Sequence, residues 1–393
     1  MSLSSAIAYK RLTALYLIWT ACVVCVWLFW GTTGQAEDAT ATVEIASTPP
    51  LERIRPNADL AHVTFTTLLH GKPLSQGHIK LQLTAPPRTQ VLSTGFPRVE
   101  GTPLLVLDSE FRDGTFTLQY VFPIRGTYTF DLEIAPVPGG PAFQPTSRRQ
   151  TVHIAENPVV VRNAWLLVVG LFVLGGITGV IFARSAAARE GPDGPAPTQS
   201  RQRLLSRAIV GPLVLCCGAL APVSTVAADV GHTERAAHGV PAHQVMRGDD
   251  GWELEIHSDP EPATVGHLVQ FAIWLRKDGA VFPGLTEIAL TVANQEEAQT
   301  VMETHILAPQ GHTAQSLQLY DGAPHTLTVT ARPVGGEASG AAPLTAVLGL
   351  DVVAMHPPLA VQMRMMALLL GVLVGGMVVG FCVPRTYKEQ AGA

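Results

Sequence analysis

The chain has 393 residues, of which 47% are hydrophobic and only 15% charged, and its formal charge is −5. Its mean hydropathy is positive and its isoelectric point about 6.2, which excludes a basic nucleic-acid-binding surface and points to membrane-spanning segments. All five cysteines fall inside apolar runs, so the polar stretches have no disulfide framework and must be held by packed cores.

In chain order, the first element is residues 12–30, LTALYLIWTACVVCVWLFW, an apolar run after Lys10 and Arg11. Its length suits a transmembrane helix or signal anchor. Cys22-x-x-Cys25 within it lacks the access and activation that a redox thiol needs. Residues 40–156 then read as strands. In TFTLQYVF, Phe116, Leu118, Tyr120 and Phe122 share one face, and in YTFDLEI so do Tyr128, Phe130, Leu132 and Ile134. A period of two is a half-buried strand. HVTFTTLL and IKLQLTAP alternate likewise, and HGKP and RDG mark turns between them. Short strands at this density predict an immunoglobulin-like β-sandwich.

The stretch HGKPLSQGHIKLQLTAP, followed by FRDGTFTLQYVFPIRGTYTFDLEI, resembles the YtkA-like family of bacterial periplasmic domains. The shared features are a G-K-P turn leading into a strand, a D-G-x-F strand, F-P-x-x-G-x-Y and a final strand. The resemblance implies an Ig-like domain outside the cytoplasmic membrane, near metal or respiratory functions, and it implies no catalytic residue.

A second apolar helix is expected over residues 164–184, then a Pro/Gly/Ala-rich cytoplasmic linker over 185–207. The run 208–228 is either a transmembrane helix or a cleavable signal-like segment, because it has a basic flank, Pro212 and a V-A-A end before Asp229. Residues 229–250 form a histidine-containing arm. Residues 251–356 repeat the strand pattern in LVQFAIWL, EIALTVAN, HTLTVTA and TAVLGLDVV, and a last helix covers 363–383. The fold class expected is therefore all-β, two Ig-like sandwiches plus about four transmembrane helices. Basic flanks place both termini in the cytoplasm and both β domains outside a bacterial cytoplasmic membrane.

The halves repeat. ENPVVVRNAWLLVVGLFVLGGITGVIFAR aligns with HPPLAVQMRMMALLLGVLVGGMVVGFCVPR at an offset of 200, and GTYTFDLEIAP with APHTLTVTARP at 197. A tandem duplication explains a signal-like segment at mid-chain.

Two kinds of functional residue stand out. Nine of thirteen histidines lie in the second half. His232, His238, His243 and Met246 of the arm offer imidazole and thioether donors suited to copper. The competing reading is a solvated linker. His325 fills the slot of Tyr128, either as a corner residue bonding a loop carbonyl or, with His267, as part of a metal site with the arm. Met355, His356, Met363, Met365 and Met366 form a cluster of the kind copper-handling surfaces use, and the commoner reading is gap-filling at a helix start. The small-residue motifs Gly175-x-x-x-Gly179, Gly371-x-x-x-Gly375 and Gly376-x-x-x-Gly380 predict close helix packing, between the halves or with a membrane-protein partner. No G-x-S-x-G, Walker A, H-E-x-x-H or Rossmann glycine pattern occurs. The expected function is a non-enzymatic, membrane-anchored binding or accessory protein in contact with the lipid bilayer. It would handle copper or assist assembly of a membrane respiratory or oxidase-type complex. The alternative is a structural subunit without a metal.

Overall fold

The computed structural model describes residues 41–88, 94, 96–189, 243–335 and 340–390. The apolar runs 12–30 and 208–228, the linker after residue 189, His232 and His238 lie outside the described residues. The described chain is mostly β, largely antiparallel, with two long helices.

The first unit holds β1 (Ala41–Thr48), β2 (Leu60–Leu69), β3 (Lys72–Pro73), β4 (Gln76–Thr84), β5 (Pro103–Arg112), β6 (Thr115–Val121), β7 (Gly126–Ala135) and β8 (Thr146–Ile154). Strand β2 pairs with β1 and β6, whereas β4 pairs with β5 and β7, and β7 with β8. The alternation read from the sequence sets which side faces in. Phe65 of β2 and Phe130 of β7 meet with ring centroids 5.9 Å apart. Both are fully buried, so the two strand groups bury one shared apolar layer.

The second unit holds β9 (His243–Arg247), β10 (Trp252–Asp259), β11 (Ala263–Thr264), β12 (Leu268–Lys277), β13 (Ala280–Val281), β14 (Leu285–Asn294), β15 (Gln299–Ala308), β16 (His312–Gln318), β17 (His325–Val334), β18 (Leu344–Leu350) and β19 (Val352–Val353). Its pairings reproduce those of the first unit: β10–β12–β16 on one side and β15–β14–β17–β18 on the other. The hairpin turns recur as well. Asp113-Gly114 and Gln310-Gly311 all have positive φ, the requirement of a two-residue turn between twisted strands. A Cβ on Gly311 would stand 2.6 Å from the Phe282 carbonyl oxygen, so glycine is required there by space as well.

The units join edge to edge, and the seam is symmetric. Strand β6 at 115–121 corresponds to β16 at 312–318, a shift of 197 residues. By that shift Glu110 and Leu307 are equivalent, and they pair with each other across the seam. The pairs Tyr120–Met302 and Leu105–Leu317 are images of one another about that point. A local two-fold axis therefore relates the units. Polar side chains lock the seam. The Gln315 amide donates to the Asp108 carbonyl at 2.7 Å, and its oxygen accepts the Asp108 N–H at 2.8 Å. The Leu307 N–H donates to Ser109 Oγ at 3.0 Å.

Each unit ends in a helix, α1 (Pro158–Arg189) and α2 (Leu359–Gln390). They extend beyond the expected 164–184 and 363–383. Asn157 Oδ1 accepts the Val159 N–H at 3.0 Å and Pro158 takes the first helical position, so α1 starts at its cap rather than at its apolar run. Both helices are long and apolar enough to cross a membrane. Their outward side chains, Trp165, Leu166, Val173 and Leu370 among them, are exposed.

The helices pack against each other in parallel through glycine. A Cβ on Gly175 would overlap the Leu373 carbonyl oxygen, and one on Gly179 the Met377 oxygen. Reciprocally, a Cβ on Gly376 would overlap the Phe172 oxygen, and one on Gly380 the Gly176 oxygen. Backbones this close are what small residues permit. Gly371 and Gly375 take no part in this contact between the halves: a Cβ on either meets nothing within 4 Å. Gly175 stands where Gly376 stands, and Gly179 where Gly380 stands. The helices match at a shift of 201 rather than the 200 of the sequence alignment. One residue turns a helix by about 100°, enough to carry Gly371 and Gly375 off the contact.

Candidate metal centre

The arm expected over 229–250 is not an arm at its described end. Residues His243–Arg247 form β9, paired antiparallel with β10. The Gly248 N–H donates to the Trp252 carbonyl at 2.8 Å and closes the hairpin. The pairing sets His243 directly opposite His257, and the imidazoles stack with centroids 4.1 Å apart. Glu255, two residues before His257, shares its face by strand alternation.

These three side chains converge. Glu255 Oε1 lies 2.8 Å from His257 Nε2 and 3.2 Å from His243 Nε2. Among the described residues this is the one group of three histidine, cysteine or carboxylate ligand atoms within 4.8 Å of one another. Arg276 of β12 donates from Nε to the other carboxylate oxygen at 2.7 Å. The His257 hydrogen bond, with Arg276 behind it, holds the Glu255 carboxyl below its usual range. The carboxylate is mostly covered, at 18% exposure, whereas His243 and His257 are 48% and 42% exposed. Trp274, opposite Glu255 on β12, sets its ring edge-on to His257 at 5.1 Å. His312 of β16 follows at 5.2 Å from Trp274.

The other residues singled out in the sequence do not join this cluster. Met246 is three steps from His243, and an odd step along a strand reverses the side. It pairs with inward-facing Leu254. The expected parity of His267 with Val269 and Phe271 does not hold, because β12 starts at Leu268 and His267 is exposed in the preceding turn. His325 is buried at a corner. Its Nδ1–H donates to the Ala323 carbonyl at 2.8 Å, and Asp321 Oδ1 lies 3.4 Å from Nε2. Tyr128 has the same role in the first unit: its hydroxyl donates to the Ile124 carbonyl at 2.5 Å and accepts the Ile124 N–H at 3.0 Å. Sequence reasoning missed Glu255, His257 and Trp274. The E-x-H spacing in WELEIHSD was the available signal, since a period of two puts both donors on one face.

No family model matches this chain, and no curated protein matches it. Among solved structures, a DUF4426 family protein from Pseudomonas aeruginosa is similar at 9% identity, covering 29% of this chain and 98% of that one, with a TM-score of 0.20. A copper-bound variant of FetP from uropathogenic Escherichia coli strain F11 is similar at 16% identity, covering 30% and 98%, with a TM-score of 0.21. Salmonella alpha-2-macroglobulin is similar at 11% identity over 82% of this chain and 15% of that one, also at 0.21. Scores this low transfer neither fold nor function.

Proposed function

We propose that this chain is a membrane-anchored, non-enzymatic binding protein that handles a transition-metal ion on the outer face of its second unit. The observation that carries this reading is the convergence of His243, Glu255 and His257 within 3.2 Å of a shared carboxylate oxygen. Bonds of about 2.0–2.2 Å place neighbouring donors of one ion about 2.8–3.5 Å apart, and both imidazole nitrogens already stand at such a distance from Oε1. Arg276 behind the carboxylate plays the orienting role that such ligands need.

The two units are read as Ig-like sandwiches of the YtkA-like kind, on the outer side of a bacterial membrane. Parallel α1 and α2, with both units at the same end, call for the chain between them to return across the bilayer. The run 208–228 is assigned that crossing, with both termini cytoplasmic. An assembly role for a membrane respiratory or oxidase-type complex is compatible with this anchoring.

The test is a calorimetric titration of the detergent-solubilised full chain with Cu²⁺ and with Zn²⁺. One equivalent is expected, and His257→Ala is expected to remove it. Binding as tight in the variant as in the parent would overturn the site and favour the structural-subunit alternative.

A further inference from the structure

Resting on that reading, we infer that the site selects the cupric over the cuprous ion. The donors on this face are two imidazole nitrogens and one carboxylate oxygen. Sulfur donors favour Cu⁺, and three of those among the described residues stand elsewhere. Met246 projects from the opposite side of β9, Met302 is buried at the seam, and Cys382 belongs to α2. Nitrogen and oxygen donors suit divalent ions, and among these Cu²⁺ binds most strongly at a given site.

The geometry agrees with the chemistry. Oε1 is the shared point of the cluster, while Oε2 is held by Arg276 at 2.7 Å. Glu255 is thereby limited to one metal bond. Three protein donors and two half-exposed imidazoles leave room for water in the remaining positions, an arrangement open to exchange rather than a closed structural site. Trp274, edge-on to His257 at 5.1 Å, stands close enough to report a bound paramagnetic ion through its fluorescence.

The experiment uses the full chain in detergent micelles. Cu²⁺ is added alone and followed by electron paramagnetic resonance and tryptophan fluorescence. Cu⁺ is added anaerobically in competition with bicinchoninate. Expected results are one Cu²⁺ with couplings to imidazole nitrogens and copper hyperfine values of mixed nitrogen and oxygen ligation, and quenching that shrinks in Trp274→Phe. Cu²⁺ affinity should fall ~100-fold or more in His257→Ala, since residues merely behind a ligand are already worth about 10–100-fold. Glu255→Gln, which keeps the side-chain shape, should also weaken Cu²⁺, and Cu⁺ affinity should be the same in all variants. Tighter binding of Cu⁺ than Cu²⁺, lost in His257→Ala, would overturn the cupric assignment and leave the site standing. Indifference of both ions to His257→Ala and Glu255→Gln would overturn the site itself.

Discussion

The two β units share their strand pairings and differ in what their outer faces carry. By register, Glu255 corresponds to Glu44, since Glu255 faces Trp274 and Glu44 faces Thr66. His257 then corresponds to Ala46. The first unit keeps the carboxylate but has neither the imidazole nor the ring beside it, and among the described residues it has no strand equivalent to β9. One scaffold thus appears twice, and the histidine–carboxylate cluster is a surface feature of one copy. The difference teaches that inward positions are tied to the shared core, while outward positions are free to diverge. Even inside, a corner can change its residue and keep its role, as Tyr128 and His325 show.

The comparison can be broken most severely in the helices. Gly376→Leu would force a side chain into the α1 backbone, and a loss of at least about 3 kcal/mol is expected from such overpacking. Gly375→Leu, one position away and facing open space, should be near neutral. Unfolding in micelles, followed by circular dichroism, separates the two. Equal losses would refute the 201-residue register.

At the corners, Tyr128→Phe strands the Ile124 N–H and carbonyl, and about 2–3 kcal/mol should be lost. Tyr128→His, importing the residue of the second unit, should recover part of it. At the seam, Gln315→Leu removes both bonds to the Asp108 backbone, at an expected cost of about 2 kcal/mol by denaturant titration. Leu118, its counterpart in the first unit, offers no such amide, so Leu118→Ala should cost packing alone.

A smaller effect separates the units by pH. His78 donates from Nε2 to Asp108 Oδ1 at 2.5 Å, which raises its pKa from 6.5. A raised folded pKa means that the contribution is complete below about 6.5 and is lost as pH rises through the folded value. Because both groups are partly exposed, under about 1 kcal/mol is expected. His78→Gln should flatten that part of the stability profile. The smallest effect is expected from Ala46→His, which copies the Glu–His pair into the first unit without a third donor. Equilibrium dialysis should find no second metal equivalent.

Most of the strand pattern was legible because alternation is a local property. TFTLQYVF and HTLTVTA bury the residues that their period assigns inward. The histidine–carboxylate cluster was half legible. E-x-H is visible in β10, but its third donor comes from another strand, whose register no local pattern records. The sequence also favoured Met246 as a companion of His243, since nothing local showed that residues 243–247 are extended. His267 was assigned inward for a similar reason: parity ends where the strand ends.

By itself, the sequence determined the β-rich composition of each unit, two apolar helices, the repeat, and the absence of disulfides from the polar regions. Those follow from residue type and short-range period, which depend on the chain's immediate neighbours. Only the tertiary structure decided the two-fold seam, the glycines that meet, and the placement of His243 beside Glu255 and His257. Each of these depends on register between segments far apart in the chain. A shift of one residue there reverses a strand's face or rotates a helix by about 100°.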